Sequence, residues 1–365
     1  MRTIIMVLLI LPLFIGSAYA EDFISYAAEE FGANKLEQML SESEKDIVGK
    51  LNFDGNYDVG AAFSRLWKSF VAKLVVEIKE NLSFCTGIVA LALMCALCIS
   101  ISIKPEIINL IEIVCCGSVA VLLFGGVESI VNDTISSMYR LSDYSKAALP
   151  VIFSASAASG AVSSSAAKFA GVSFALDVLM SISQRLILPL IYSYISLMLS
   201  SVIFNNPIVS TVQKMCKWAA ATMMTGMTLA FTTYISMIGA IGNAVDAASV
   251  KTARSVISSL LPVVGGMISD ASAMILSAAG VVKSCAGVFG LITVIVICAG
   301  PFAVLSVKLF LFKGVSAVAE SIDNKRLTQL MSGFASVMSL LMALLGCCGI
   351  MLFISLTAGM KAVLI

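Results

Sequence analysis

Eight apolar stretches fill most of the chain from residue 82 onward, near 82–103, 107–131, 147–167, 186–204, 218–242, 256–280, 284–307 and 328–358. Each is long enough to cross a hydrocarbon core of about 30 Å. In lipid, every backbone N–H and C=O must find a partner inside the protein, so segments of this length are helices. The pattern predicts an all-α, polytopic α-helical membrane protein. The third stretch is poor in bulky side chains, and the second and sixth carry acids. The count is therefore seven to nine crossings, with about eight transmembrane helices as the central expectation.

Charge divides the chain further. Only 12% of its 365 residues are charged, against roughly 25% in an ordinary soluble domain. Arg2 stands alone, residues 21–80 hold 19 charges (7 basic, 12 acidic), and 25 are spread over the remaining 285 residues. Residues 1–20 pair Arg2 with an apolar run from Ile4 to Ile15, then place Ala18 and Ala20 around Tyr19. This predicts a signal peptide cleaved after Ala20, hence an extracytoplasmic acidic helical head over 21–80 and a multi-pass membrane domain over 81–365.

Several function classes drop out. The chain has no histidine, which removes the commonest zinc ligand and the usual general base near neutral pH. A net charge of +1 offers no basic field for nucleic acid. All ten cysteines lie beyond residue 80, mostly in apolar runs, so they read as small hydrophobes. Cys95 and Cys98 form a C-x-x-C with no second pair to complete a metal site. With no phosphate-binding loop and no nucleophile motif, no catalytic, cofactor or metal residue is assigned and the chain is not expected to be an enzyme. Any energy for transport would come from a separate ATPase.

Within the head, Phe63, Leu66, Trp67, Phe70 and Leu74 recur at helical spacing. They predict an apolar stripe that either docks an extracytoplasmic partner or lies in the headgroup layer. With the head outside, eight crossings place Lys104, Lys168, Arg185, Lys251, Arg254, Lys308, Lys313, Lys325 and Arg326 on the inner side. Arg140, Lys146, Lys214, Lys217, Lys283 and Lys361 then fall on the outer side, a weak positive-inside bias. The connection over 308–326 reads as a cytoplasmic amphipathic segment. Asp246, Lys251, Arg254, Lys325 and Arg326 are candidate docking residues for a soluble subunit.

Asp270 lies in LLPVVGGMISDASAMILSAAG, where an ionised carboxylate facing lipid would be costly, so it is expected to face a cavity, a cation or the bundle interior. Pro262, Gly265 and Gly266 mark a broken or re-entrant helix beside it. Glu112, Asp177 and Arg185 are further intramembrane polar candidates, also explained as interfacial or ion-paired groups. A faint echo at an offset of 112 matches Leu149, Pro150 and Val151 to Leu261, Pro262 and Val263, and Ala161 with Ser165–Ala167 to Ala273 with Ser277–Ala279. It is compatible with an inverted three-helix repeat.

The runs LPVIFSASAASGAVSSSAAKF at 149–169, ILPLIYSYISLMLSSVIF at 187–204 and VKTARSVISSLLPVVGGMISDASAMILSAAGVVKS at 250–284 carry a resemblance. Over nearly its whole length, the head least, the chain resembles the stage III sporulation protein AE family of endospore-forming bacteria. The family's pattern maps onto Thr252, Arg254, Pro262, Gly265 and Asp270. The resemblance implies a component of the mother cell–forespore channel complex in the outer forespore membrane, with its head in the intermembrane space. Its implied partners are other stage III A-group membrane proteins, their ATPase and, indirectly, stage II protein Q. The function expected is a conduit or permease-like subunit energised by the ATPase; the alternative is a non-conducting platform that recruits ring proteins and the ATPase.

Overall fold

The computed structural model describes residues 24–51, 53, 58–101, 104–160, 162–204, 206–260 and 265–360, with the side chains of 105, 162–164 and 239–275 left aside. The signal cleavage residues Ala18 and Ala20 lie outside these residues. Short helices α1 (24–30), α2 (Asn34–Gln38) and α3 (Glu42–Val48) form the head. Six long elements follow: α4 (Val59–Ile101), α5 (Pro105–Ala158), α6 (Val162–Ile182) joined by a π-turn at Ser183–Ile187 to α7 (Leu188–Phe204), α8 (Pro207–Leu260), α9 (Gly265–Ser321) and α10 (Lys325–Met360). No strand occurs among the described residues. Among the described residues, five helical segments are long and apolar enough to cross a membrane. The all-α, polytopic expectation holds.

The number of long elements differs from the number of apolar stretches. The stretch at 107–131 and the first part of 147–167, as far as Ala158, lie on one unbroken helix, the 54-residue α5, and the rest of the second stretch passes onto α6. Those at 256–280 and 284–307 largely merge in the 57-residue α9. At 1.5 Å per residue these helices run about 80 Å, well over twice a hydrocarbon core. The segment between the first pair reads as a loop because it carries Asp133, Arg140, Asp143 and Lys146. It stays helical because Ile130, Thr134, Met138, Leu141 and Tyr144 fall on one buried face while the charges turn outward. Similarly, the supposed connection at 308–326 is mostly helix: Phe312, Val315 and Ala319 are buried and carry α9 to Ser321.

These mergers redraw the sides. Lys168 and Lys283, expected on opposite faces of the membrane, are both buried and close enough to act on each other electrostatically. Lys217 and Lys313, also expected on opposite faces, line one groove. The offset-112 echo does not repeat the local structure. The turn at 159–160, where Gly160 takes φ 102°, corresponds to positions 271–272 inside α9.

The core runs along α5, α9 and α10. Phe289, Phe334, Met338, Leu341, Ile152 and Leu344 are fully buried there. Close approach is steric as well as apolar: an added Cβ at Gly333 would meet the Met198 thioether, and one at Gly359 would lie 2.8 Å from Ile152. α9 turns into α10 through Ile322, Asp323 and Asn324, with Asp323 at φ 54°. Asn324 then caps α10, its Oδ1 accepting from the Leu327 N–H at 3.1 Å.

Helices α2 and α3 pack against the long helices, α2 on α5 and α3 on α4 and α9. Ser41 and Glu44 form a capping box that starts α3. Gly49 ends α3 at φ 82°, with the Arg65 guanidinium against the side where a Cβ would stand.

Candidate functional site

At one end of the bundle Arg326, the second residue of α10, ties three helix ends together. Its Nε donates to Glu112 Oε2 at 3.1 Å, and its Nη2 donates to Asn109 Oδ1, both in the first turns of α5. Its Nη1 donates to the carbonyls of Val202 and Ile203 at 3.0 and 2.9 Å. α7 stops at Phe204, so these carbonyls are among the four that a helix C-terminus leaves without an intrahelical donor. The planar guanidinium thus neutralises a carboxylate and completes a helix end with one side chain, which a lysine could not do. The Arg326 and Glu112 side chains are only 13% and 24% exposed.

The sequence reading treated Glu112 as a membrane polar group and Arg326 as a docking residue, and the structure brings them together. Arg326 is thereby committed to the bundle. Its neighbour Lys325 is exposed and 4.0 Å from the Asp323 carboxylate. Asn109 was missed, having no signal beyond being a lone amide among apolar residues.

A second polar contact fixes the head. Arg140, midway along α5, pairs with Glu44 of the α3 capping box. Burial alone would raise the Glu44 pKa. Hydrogen bonds from Arg140 and from the Ser41 backbone and hydroxyl, with the Arg140 charge, hold it below the usual value of 4.5. Glu37 accepts from the Leu51 N–H and closes the head on itself.

The expected docking face on α4 splits in two. Leu66 is buried with Ala62 beneath the head, whereas Phe63 and Trp67 are exposed and Phe70 and Leu74 are partly covered. Trp67 and Phe70 stack at a centroid distance of 6.3 Å. The exposed set continues down α4 through Val75, Ile78, Leu82 and Leu93.

Asp177 on α6 and Arg185 within the π-turn are both exposed, with no ion pair between them among the described residues. Pro262 lies outside the described residues. The side chains of Asp246, Lys251, Arg254 and Asp270 do too; the first three sit on α8 and Asp270 on α9, which Gly265 and Gly266 open. The described residues contain no cluster of metal-ligating side chains.

Long apolar helices packed side by side, polar clamps at their ends and a folded polar head define a multi-pass α-helical membrane protein. The chain belongs to the stage III sporulation protein AE family, whose family model matches residues 43–362. No curated protein and no solved structure matches it.

Proposed function

We propose that the chain is the membrane platform of the channel or secretion-like complex between mother cell and forespore, and that any path for cargo runs between this bundle and neighbouring subunits. One observation carries this reading: the interior shared by α5, α9 and α10 is filled by fully buried large side chains, with Phe289, Phe334, Met338 and Leu341 at 0% exposure. A packed interior of this kind can hold partners in register, and among the described residues it leaves no opening for solute between these side chains. Membership in the family supports a sporulation role and a place among the stage III A-group proteins.

In this reading the protein sits in the outer forespore membrane, its head in the intermembrane space and its signal peptide removed. Arg254, Lys251, Asp246 and Lys325 present docking positions to the group's ATPase. The exposed Phe63 and Trp67 face the ring-forming members and, through them, stage II protein Q. Co-isolation of the ATPase and ring proteins from sporulating cells tests it. Deletion of residues 21–80 should abolish ring-protein recovery, and Arg254→Ala should abolish ATPase recovery, at unchanged protein level. Full recovery of both would overturn the reading.

A second reading, a permease-like conduit energised by the ATPase, is favoured by Asp270, whose place in a long apolar run is costly without a purpose in the membrane. It requires Asp270 to act on a moving ion or solute, so its neutral isostere should stop transfer.

A further inference from the structure

α8 and α9 both lie against α10 but barely touch one another among the described residues. Between them is a groove of about 400 Å³ with α10 as its floor. Its lining is unlike the rest of the surface of these helices. Lys217 forms one wall, Lys313 and Glu320 the other, and Ser332, Ser336 and Ser339 the floor.

The three serines recur at i, i+4 and i+7, so they form a ladder on one face of α10. Most helical hydroxyls in this chain bond back to a carbonyl three or four residues earlier, as at Ser118, Thr134 and Ser284. The ladder behaves differently. Ser336 Oγ accepts from Lys217 Nζ at 2.9 Å, and the hydroxyls of Ser332 and Ser339 make no bond among the described residues. Neither Lys217 nor Lys313 joins an ion pair among those residues. The groove therefore presents two ammonium groups and a row of hydroxyl donors against one carboxylate.

Its position along the helices identifies what fits. Beyond the groove the three helices carry no charge over 218–245, 284–307 and 340–360. Trp218 and Phe310 stand exposed beside Lys217 and Leu309. Aromatic rings next to lysines, where charge gives way to a long apolar run, mark headgroup depth. Basic pockets between membrane helices at that depth suit anionic headgroups.

We propose that this groove binds an anionic phospholipid, with its phosphate between Lys217 and Lys313 on the serine ladder and its acyl chains along the exposed apolar sides of α8 and α9. A phosphate diester accepts hydrogen bonds and donates none, which matches the lysine and hydroxyl donors. Glu320 is left to accept from a headgroup hydroxyl, as a glycerol headgroup supplies.

The test is native mass spectrometry of the purified full-length protein titrated with phosphatidylglycerol or phosphatidylcholine. The expected result is selective retention of phosphatidylglycerol. The Lys217→Ala/Lys313→Ala double variant should lose it by about tenfold or more. Lys325→Ala, which removes an exposed lysine outside the groove, should retain it. The Lys217→Arg/Lys313→Arg variant keeps both charges and should retain binding, which separates loss of the site from loss of the fold. Unchanged binding by the alanine pair, or equal retention of the two lipids, overturns the proposal. Displacement of the lipid by millimolar inorganic phosphate overturns it in favour of a free-anion site.

Discussion

The α4–α5 pair and the α9–α10 pair are almost equally apolar in sequence, yet they occupy different places. In their most apolar windows 22% of α4 and 28% of α5 is buried, against 56% for both α9 and α10. Apolar composition marks a helix for the membrane and leaves open which of its faces meets protein. That is set by small residues and by polar anchors. α10 carries Gly333 and Gly359 at tight contacts and has Arg326 at its start, whereas Gly87 of α4 and Gly117, Gly125 and Gly126 of α5 have nothing within 4 Å of the added Cβ. The α9–α10 pair belongs to the core, whereas α4 and the first half of α5, where Leu110, Val121 and Phe124 are exposed, present apolar surface to lipid or to partners; α5 joins the core only further on, through Met138, Leu141 and Ile152.

Truncation should expose this difference first in stability. Phe334→Ala, at a fully buried α10 position with its ring 6.1 Å from Phe312, should cost about 3–5 kcal/mol. Thermal unfolding in detergent should show it as a large drop in midpoint. Leu97→Ala on α4, a comparable loss of apolar bulk at 60% exposure, should stay within about 0.5 kcal/mol. Similar losses at both sites would erase the distinction between core and outer helices.

Next in size is the Arg326 clamp. Arg326→Ala leaves the Glu112 carboxylate without its cation and two α7 carbonyls without a donor, which should cost about 2–3 kcal/mol. Arg326→Lys should recover part of this and not all, since an ammonium cannot span the same four acceptors. Proteolysis at the α7–α8 junction, read against the intact protein, should rise in the order wild type, lysine variant, alanine variant.

The head is held more weakly, and its attachment should depend on pH. The folded pKa of Glu44 is lowered, so its contribution is fully present above the ordinary value of 4.5 and is lost as pH falls through the folded value. Energy transfer between fluorophores placed on α3 and on α5 should therefore fall as pH drops below 4.5 through the folded value. Glu44→Gln should remove the pH dependence. The pair is partly exposed, so the effect should be on the order of 1 kcal/mol or less.

Much of this architecture was legible in the sequence. The all-α, multi-pass character follows from the length of the apolar stretches. The single course of α5 was harder to see because a window that counts charge treats Asp133, Arg140, Asp143 and Lys146 as a break. The helical period of Ile130, Thr134, Met138 and Leu141 running beneath them argues otherwise. Of the polar candidates, Glu112 and Arg326 were each visible as odd residues near span ends. Their pairing joins positions 214 residues apart, which no local pattern encodes. The Lys217–Lys313 groove was hidden for the same reason, although the spacing of Ser332, Ser336 and Ser339 was a readable sign of one polar face.

In the proposed platform the bundle is packed and forms no pore through one chain. The most direct test is transfer of a small fluorescent solute into the engulfed forespore in a spore former whose native copy is replaced by Asp270→Asn. Protein level and partner assembly are measured alongside. The platform predicts transfer at the native level. Transfer abolished at normal abundance and with the complex fully assembled would contradict it and assign the path to this chain.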